Sequence, residues 1–174
     1  MLPGSEALPI DAIVARIAAA HERLLAAIAP LTDEQLQAPV LGQAGWSVKD
    51  VLAHLAFWDG RLLHAVNPQP GPEGGPPSRL APPLIADIPY DEQWLATVNA
   101  RIYALNRART LADVRAEFDA TRRHLLRTAA ALSPQAVADL DGLTAPLGEP
   151  FSTMLLGAYG HYEEHAEELE AHRW

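Results

Sequence analysis

Two histidines near the end of the chain have a spacing at which both can bind one metal ion. His161 and His165 lie four residues apart in a segment with helical periodicity, which places their side chains one above the other on one helix face. His54 falls between Val51 and Trp58 on the apolar face of another predicted helix. Because facing helices of a bundle assemble metal sites from inward side chains, these three histidines predict a site for one divalent metal. A fourth position would stay open for water or substrate, as in catalytic zinc sites.

The same histidines are also compatible with a structural role, as a hydrogen-bonded pair in the core. The chain has no cysteine, so any metal must be held by imidazole and carboxylate groups. Acidic side chains beside the pair are interpreted as a solvated helix face: Glu163, Glu164, Glu167 and Glu168. Glu168, three residues after His165, is in addition a candidate partner for the ring of that histidine.

Other polar residues near the three histidines have competing interpretations. Asp50 lies one turn before His54 and fits either orientation of that ring or capping of the helix together with Ser47. Tyr162 neighbours both histidines of the last helix and is interpreted as core packing rather than as a substrate-orienting group. His21 is expected to be a hydrogen-bonded residue at the core edge. The remaining histidines are placed outside the site by angle or distance along their helices: His64, His124 and His172.

Helical periodicity predicts the elements that would position these side chains. Apolar residues at spacings of three, four and seven predict a first long helix over residues 9–29. A short helical turn follows, with Thr32 and Gln35 as a capping box. The second long helix, which carries His54, begins after Ser47 as its N-cap and runs to about Val66.

The second half of the chain repeats this order of elements. Periodicity over residues 91–132, interrupted near Thr110, predicts a long kinked third helix. A second short turn follows, with Ser133 as cap and Pro134 at the first helical position. The last long helix, over residues 151–173, carries the other two histidines. We therefore predict an all-α four-helix bundle that forms a single domain over residues 1–174.

The connection between the second and third long helices is long and rich in helix-breaking residues. Residues 67–90 hold eight of the fifteen prolines and three of the eleven glycines. We expect one long loop, either a lid over a pocket or a segment in solvent. No segment alternates between polar and apolar residues at period two, so no sheet is expected beyond a short ribbon in the loops.

Charge and composition exclude several classes of partner. The formal net charge of −9 opposes the counterion release that drives nucleic-acid affinity, so no nucleic-acid partner is expected. No apolar run approaches the roughly 20 residues needed to cross a bilayer, and the N-terminal stretch lacks the pattern of a signal peptide. We therefore expect a soluble protein in the cytoplasm, without a membrane partner.

With these residues identified, the whole sequence resembles the DinB-like superfamily of four-helix bundles. The resemblance is carried by GWSVKDVLAHLAFWDG, which contains Trp46, Ser47 and His54, and by GHYEEHAEELEAHR in the last helix. The segments NARIYALNRARTLADVRAEF and HYEEHAEELEAH resemble most the branch that contains the colibactin self-resistance proteins. The resemblance implies metal ligands at His54, His161 and His165, commonly with nickel or zinc.

The resemblance leaves the activity open, because the superfamily includes thiol-dependent transferases, a mycothiol-dependent maleylpyruvate isomerase and self-resistance hydrolases. The leading hypothesis is a divalent-metal-dependent hydrolase or thiol-dependent transferase that acts on a small electrophile in detoxification or stress, with a low-molecular-weight thiol as a further candidate cofactor. The second is a non-catalytic small-molecule or metal-binding bundle of the self-resistance type, with a cavity walled by Trp58. The third is a dimerisation module whose histidines are packing residues; a homodimer is compatible with all three.

Overall fold

The computed structural model describes residues 9–39, 41, 45–66, 85, 87–89, 91–144 and 150–174. This part of the chain is helical, apart from one isolated antiparallel bridge between Leu41 and Trp46. The helices are α1 Ile10–Ile28, α2 Asp33–Gln37, α3 Val48–Val66, α4 Trp94–Asn106, α5 Leu111–Ala130, α6 Pro134–Thr144 and α7 Phe151–Ala171. None of these helices combines the length and the apolar character that a membrane span requires.

The four long helices pack around one another in pairs. α1 lies mainly against α7 and α3 mainly against α5, while contacts of α3 with α7 and of α1 with α5 join the two pairs. Each of the four helices contributes to the largest buried cluster, for example through Leu24, Leu55, Phe118 and Tyr162. Burial of these apolar stripes is the main force that holds the helices together. The all-α class predicted from the sequence is confirmed for the described residues.

Polar caps fix the beginnings of several helices. Thr32 and Gln35 form the predicted capping box of α2, and Ser133 accepts a hydrogen bond from the backbone of Ala136 at the start of α6. Asp50 accepts hydrogen bonds from the backbone N–H and the hydroxyl of Ser47, at 2.9 and 2.5 Å. Of the two roles considered for Asp50, the structure therefore supports capping of α3.

The predicted third long helix is in fact two helices. α4 ends at Asn106, and α5 begins after Thr110, whose hydroxyl accepts a hydrogen bond from the backbone of Asp113. Lys49 of α3 donates hydrogen bonds of 3.0 Å to two carbonyl oxygens in the connection, those of Arg107 and Arg109. These carbonyls are satisfied by a lysine from another helix, so the chain turns here instead of continuing with a kink.

Two further expectations concern the connections between the long helices. The second short helical turn is longer than expected, because α6 runs for 11 residues. The expected lid over residues 67–90 lies largely outside the described residues. Two residues of it that are described, Ile85 and Ile88, pack with Phe57 of α3 and Val98 of α4 in a third apolar cluster.

Candidate metal centre

Three histidines from two helices meet in the interior. His54 of α3 and the pair His161 and His165 of α7 each direct one ring nitrogen into a group whose atoms all lie within 4.8 Å of one another. The Nε2 atoms of His54 and His161 are 2.7 Å apart. Within the described part of the chain, no other group of three or more His, Cys, Asp or Glu side chains is placed to hold a metal. The i and i+4 positions of α7 bring its two rings to one face, as their spacing predicts.

Burial keeps the imidazoles of His54 and His161 neutral. Burial is the largest cause of the lowered pKa of His54, which is about 2, and the neighbouring rings of His161 and His165 contribute to the same shift. Burial also lowers the pKa of His161 to about 4, with smaller contributions from His165 and the positive charge of Arg122. Neutral imidazoles carry the lone pairs that bind metal ions, so the environment selects the ligating form.

Two side chains set the tautomers of the rings. An ionised carboxylate can only accept, so Oε2 of Glu168, 3.3 Å from Nδ1 of His165, holds the proton of that ring on Nδ1 and leaves Nε2 available. The indole N–H of Trp58 donates to Nδ1 of His54 at 3.3 Å. This contact places the proton of His54 on Nε2, from which it is donated to Nε2 of His161.

One metal ion fits between these rings only after the side chains adjust, because the three ligand atoms are spread over up to 4.8 Å. Two imidazole nitrogens bound tetrahedrally to zinc lie about 3.3 Å apart, so the pair of His54 and His161 must open from its present separation of 2.7 Å. The proton of His54 must also move from Nε2 to Nδ1, which costs the hydrogen bond from Trp58.

Aromatic side chains surround His54. The ring of Trp46 meets it edge-on at a centroid distance of 5.1 Å, and the ring of Trp58 does so at 6.1 Å. Tyr103 of α4 stacks on Trp46 at 6.4 Å. These rings limit access of water to His54, which is only 5% exposed, and an apolar shell of this kind strengthens electrostatic interactions at a metal site.

A second polar group lies in the core next to the histidines, with one residue from each long helix. Arg122 of α5 donates from Nε to the hydroxyl of Tyr162 at 3.1 Å, and this hydroxyl donates to Oδ2 of Asp59 at 2.8 Å. The Arg122 guanidinium lies over the Tyr162 ring, 3.7 Å from its centroid, and His21 of α1 approaches the same ring at 5.8 Å. We call these four residues the polar layer: His21, Asp59, Arg122 and Tyr162.

Burial governs the charges of the polar layer. It raises the pKa of Asp59, while the positive charge of Arg122 and the hydrogen bond from Tyr162 oppose the rise. Burial and the nearby carboxyl group of Asp59 raise the pKa of Tyr162 well above its usual value. Among the described residues, neither terminal nitrogen of Arg122 nor Nε2 of His21 has a hydrogen-bond partner. The layer therefore holds a buried ion pair with incomplete hydrogen bonding, which is costly unless both partners are present.

The structure brings the three predicted ligands together and corrects two expectations about their neighbours. His21 is buried against Phe118 and Tyr162, and its Nε2 is unpartnered instead of hydrogen-bonded as expected. Glu163 is not simply solvated, because it pairs with Arg23 of α1 at 2.5 Å. The other histidines lie outside the metal group: His64, His124 and His172.

Sequence reasoning missed Asp59 and Arg122, the charged members of the polar layer. Both residues are 1% exposed. A signal was available in the sequence, because Asp59 follows Leu55 by four residues and Arg122 precedes Leu125 by three, on the inward stripes of their helices.

The described residues therefore form an all-α protein with a candidate three-histidine metal site between two of its long helices, α3 and α7. Comparison with protein families agrees with this class. The chain belongs to the mycothiol maleylpyruvate isomerase N-terminal domain family, which matches residues 17–174 and so includes all three histidines. This family is part of the DinB-like superfamily, which confirms the resemblance at the superfamily level. Searches of curated proteins and of solved structures found no significant match.

Proposed function

We propose that the chain is a divalent-metal-dependent enzyme that acts on a small electrophilic molecule, with His54, His161 and His165 as the metal ligands. The observation that carries the proposal is the convergence of three ring nitrogens within 4.8 Å. Zinc and nickel are the metals proposed, since both bind neutral imidazole well. A bound metal would supply a Lewis acid that activates water or a thiol, or polarises a carbonyl group.

The residues around the histidines support this role. Three imidazoles leave a coordination position for a reactant, which is the arrangement of catalytic rather than structural zinc. Glu168 orients the ring of His165, and Trp46 and Trp58 keep water from the ring of His54.

The family supports the reaction class that we propose. Its name refers to mycothiol, a low-molecular-weight thiol, so we propose a thiol as the second cofactor and thiol-dependent transfer as the leading reaction, with hydrolysis as the other. We also propose that α1, α3, α5 and α7 form the four-helix bundle of a single domain over residues 1–174. A homodimer remains a prediction from the sequence.

Elemental analysis tests the metal proposal. The untagged protein, purified without chelator and incubated with zinc or nickel, is compared with its His54→Ala and His161→Ala variants. About one metal per chain in the wild type, lost in both variants, is the expected result. Tyr159→Phe on α7 serves as a control that should retain the metal. A wild type without metal after both incubations would overturn the proposal.

A second function is favoured by one specific distance. The separation of 2.7 Å between Nε2 of His54 and Nε2 of His161 is that of a direct hydrogen bond, which a metal-free core pair would form. A bundle of this kind would bind a small molecule without catalysis, in the manner implied by the resemblance to self-resistance proteins. Failure to bind metal, together with unchanged stability on addition of zinc, would favour this second function.

A further inference from the structure

A groove between α3 and α7 begins at the histidine group. It has a volume of about 160 Å³, and His161 belongs both to its lining and to the three histidines. The rest of its lining is mainly apolar and includes Trp58, Leu62, Met154 and Ala158. Thr153 and Gly157, which also line it, are exposed, so the groove opens to solvent along α7.

Gly157 contributes open space to this groove. A glycine inside a helix costs about 1 kcal/mol relative to alanine, and Gly157 lies in the second turn of α7. The backbone does not require glycine here, because Gly45 is the only glycine with positive φ among the described residues. Nor does a close neighbour require it, since a Cβ added at Gly157 would meet no atom within 4 Å. What the missing side chain leaves is space in the groove.

The size and lining of the groove suit one ring. An apolar cavity of roughly 150 Å³ is sufficient to bind benzene. Trp58 contributes an indole to the groove, and aromatic side chains make favourable offset or edge contacts with other rings. The polar side chains of the lining are those of Asp59, Arg61, Thr153 and His161. The carboxyl group of Asp59 is engaged by Tyr162 and Arg122. The guanidinium of Arg61 lies over the Trp58 ring, 5.4 Å from its centroid.

We propose that the groove is a ligand subsite for a molecule with an apolar, ring-sized body and a Lewis-basic head that reaches the three histidines. The part of this inference that concerns the head rests on the proposed function, because the head would bind at the open coordination position of the metal. The body would pack between Trp58 and Met154, beside Gly157. The substrate class is therefore a small aromatic or comparably sized apolar molecule with a metal-binding group at one end.

Titration followed by amide NMR tests the subsite with two probes, imidazole and 4-phenylimidazole, on the zinc-loaded and the zinc-free protein. The two probes share the same head and differ only by the ring. In the zinc-loaded protein we expect 4-phenylimidazole to bind at least about tenfold more tightly than imidazole, because the phenyl ring leaves water. Its binding should shift the amide signals of residues 153–158 in both forms of the protein.

Two substitutions at Gly157 test whether the space in the groove accounts for the higher affinity of 4-phenylimidazole. Gly157→Leu should fill the groove and remove the advantage of the phenyl group, while Gly157→Ala should retain most of it. Gly160→Leu is the matched control, since a Cβ at Gly160 also meets no atom within 4 Å but Gly160 does not line the groove.

The outcomes distinguish this inference from the function on which it rests. The imidazole ring signals of the histidines are recorded alongside the amide spectra. If zinc leaves these ring signals unchanged, the proposed function fails, and the amide shifts of residues 153–158 in the zinc-free protein still test whether the groove binds the probe. If those residues do not respond to 4-phenylimidazole, or if Gly157→Leu binds it as tightly as the wild type does, the subsite is overturned.

Discussion

The hydroxyl of Tyr162 donates a hydrogen bond of 2.8 Å to Oδ2 of Asp59, and this bond joins the two helices of the candidate metal centre. Asp59 lies on α3, which carries His54, and Tyr162 lies directly after His161 on α7. Because both residues are 1% exposed, the bond is made in the dry interior, where a donor and a charged acceptor interact strongly. The polar layer is therefore placed to fix the position of α7 relative to α3.

The Tyr162→Phe variant should lower the free energy of unfolding by about 1 to 3 kcal/mol. It keeps the ring but removes the hydroxyl that donates to Asp59 and accepts from Arg122, which leaves two buried groups short of a partner. Urea denaturation at pH 7 measures the change. Tyr159→Phe, on the same helix but only partly buried, should change the stability less, and equal effects of the two variants would contradict the argument.

The ion pair of Asp59 and Arg122 should depend on both partners. Arg122→Met alone should cost about 3 to 5 kcal/mol, because it leaves the carboxyl group of Asp59 buried without its cation. The double variant Asp59→Leu with Arg122→Met should be more stable than Arg122→Met alone. Thermal and urea unfolding of the two single variants and the double variant complete the cycle. Simple additivity of the two single effects would argue against direct coupling.

Trp58→Phe should increase the affinity for zinc. The indole N–H stabilises the tautomer of His54 with its proton on Nε2, which is the nitrogen that faces the other histidines. Phenylalanine retains an aromatic ring but removes this donor, so the proton can move to Nδ1 at lower cost. One lost hydrogen bond of about 1 kcal/mol corresponds to roughly a fivefold change in the dissociation constant. Competition with a zinc-binding dye measures it, and weaker binding by the variant would show that the indole supports the site.

The metal-free protein should lose stability as the pH falls from about 6.5 to about 4. Burial, followed by the positive charge of Arg122, lowers the pKa of His21 to about 4 in the folded state, whereas the unfolded value is near 6.5. The unfolded chain therefore binds more protons in this window, and the contribution of His21 is complete above pH 6.5 and lost on acidification.

The contribution of His21 can be isolated by substitution. His21→Leu should flatten the dependence of unfolding free energy on pH between 6.5 and 4, although His54 and His161 retain theirs. His172→Gln, outside the core, is the control. If His21→Leu and the wild type follow the same curve, His21 does not contribute to this loss of stability.

The sequence was sufficient to predict three of the four long helices, α1, α3 and α7, and the convergence of the three histidines. Periodicity assigns His54, His161 and His165 to inward faces, and an i, i+4 pair on one helix needs no tertiary information. The helix caps could also be predicted from the sequence. The cap hydrogen bonds of Thr32, Gln35 and Ser133 are local, because each joins residues that are three positions apart.

The features that sequence reasoning missed depend on contacts between distant residues. Asp59 and Arg122 are charged types that are normally exposed, and their burial becomes tolerable only through each other and Tyr162, across three helices. In the same way, the break between α4 and α5 depends on Lys49, some sixty positions away, which binds the carbonyls of Arg107 and Arg109.

The most direct test of the proposed centre is zinc X-ray absorption spectroscopy of the protein that carries one equivalent of zinc. We expect a spectrum of three imidazole ligands and one additional light atom, at zinc to nitrogen distances of about 2.0 to 2.1 Å. The His54→Ala variant, if it retains zinc, should show one imidazole fewer. Zinc held mainly by carboxylates, or by the same number of imidazoles with and without His54, would contradict a centre built from α3 and α7.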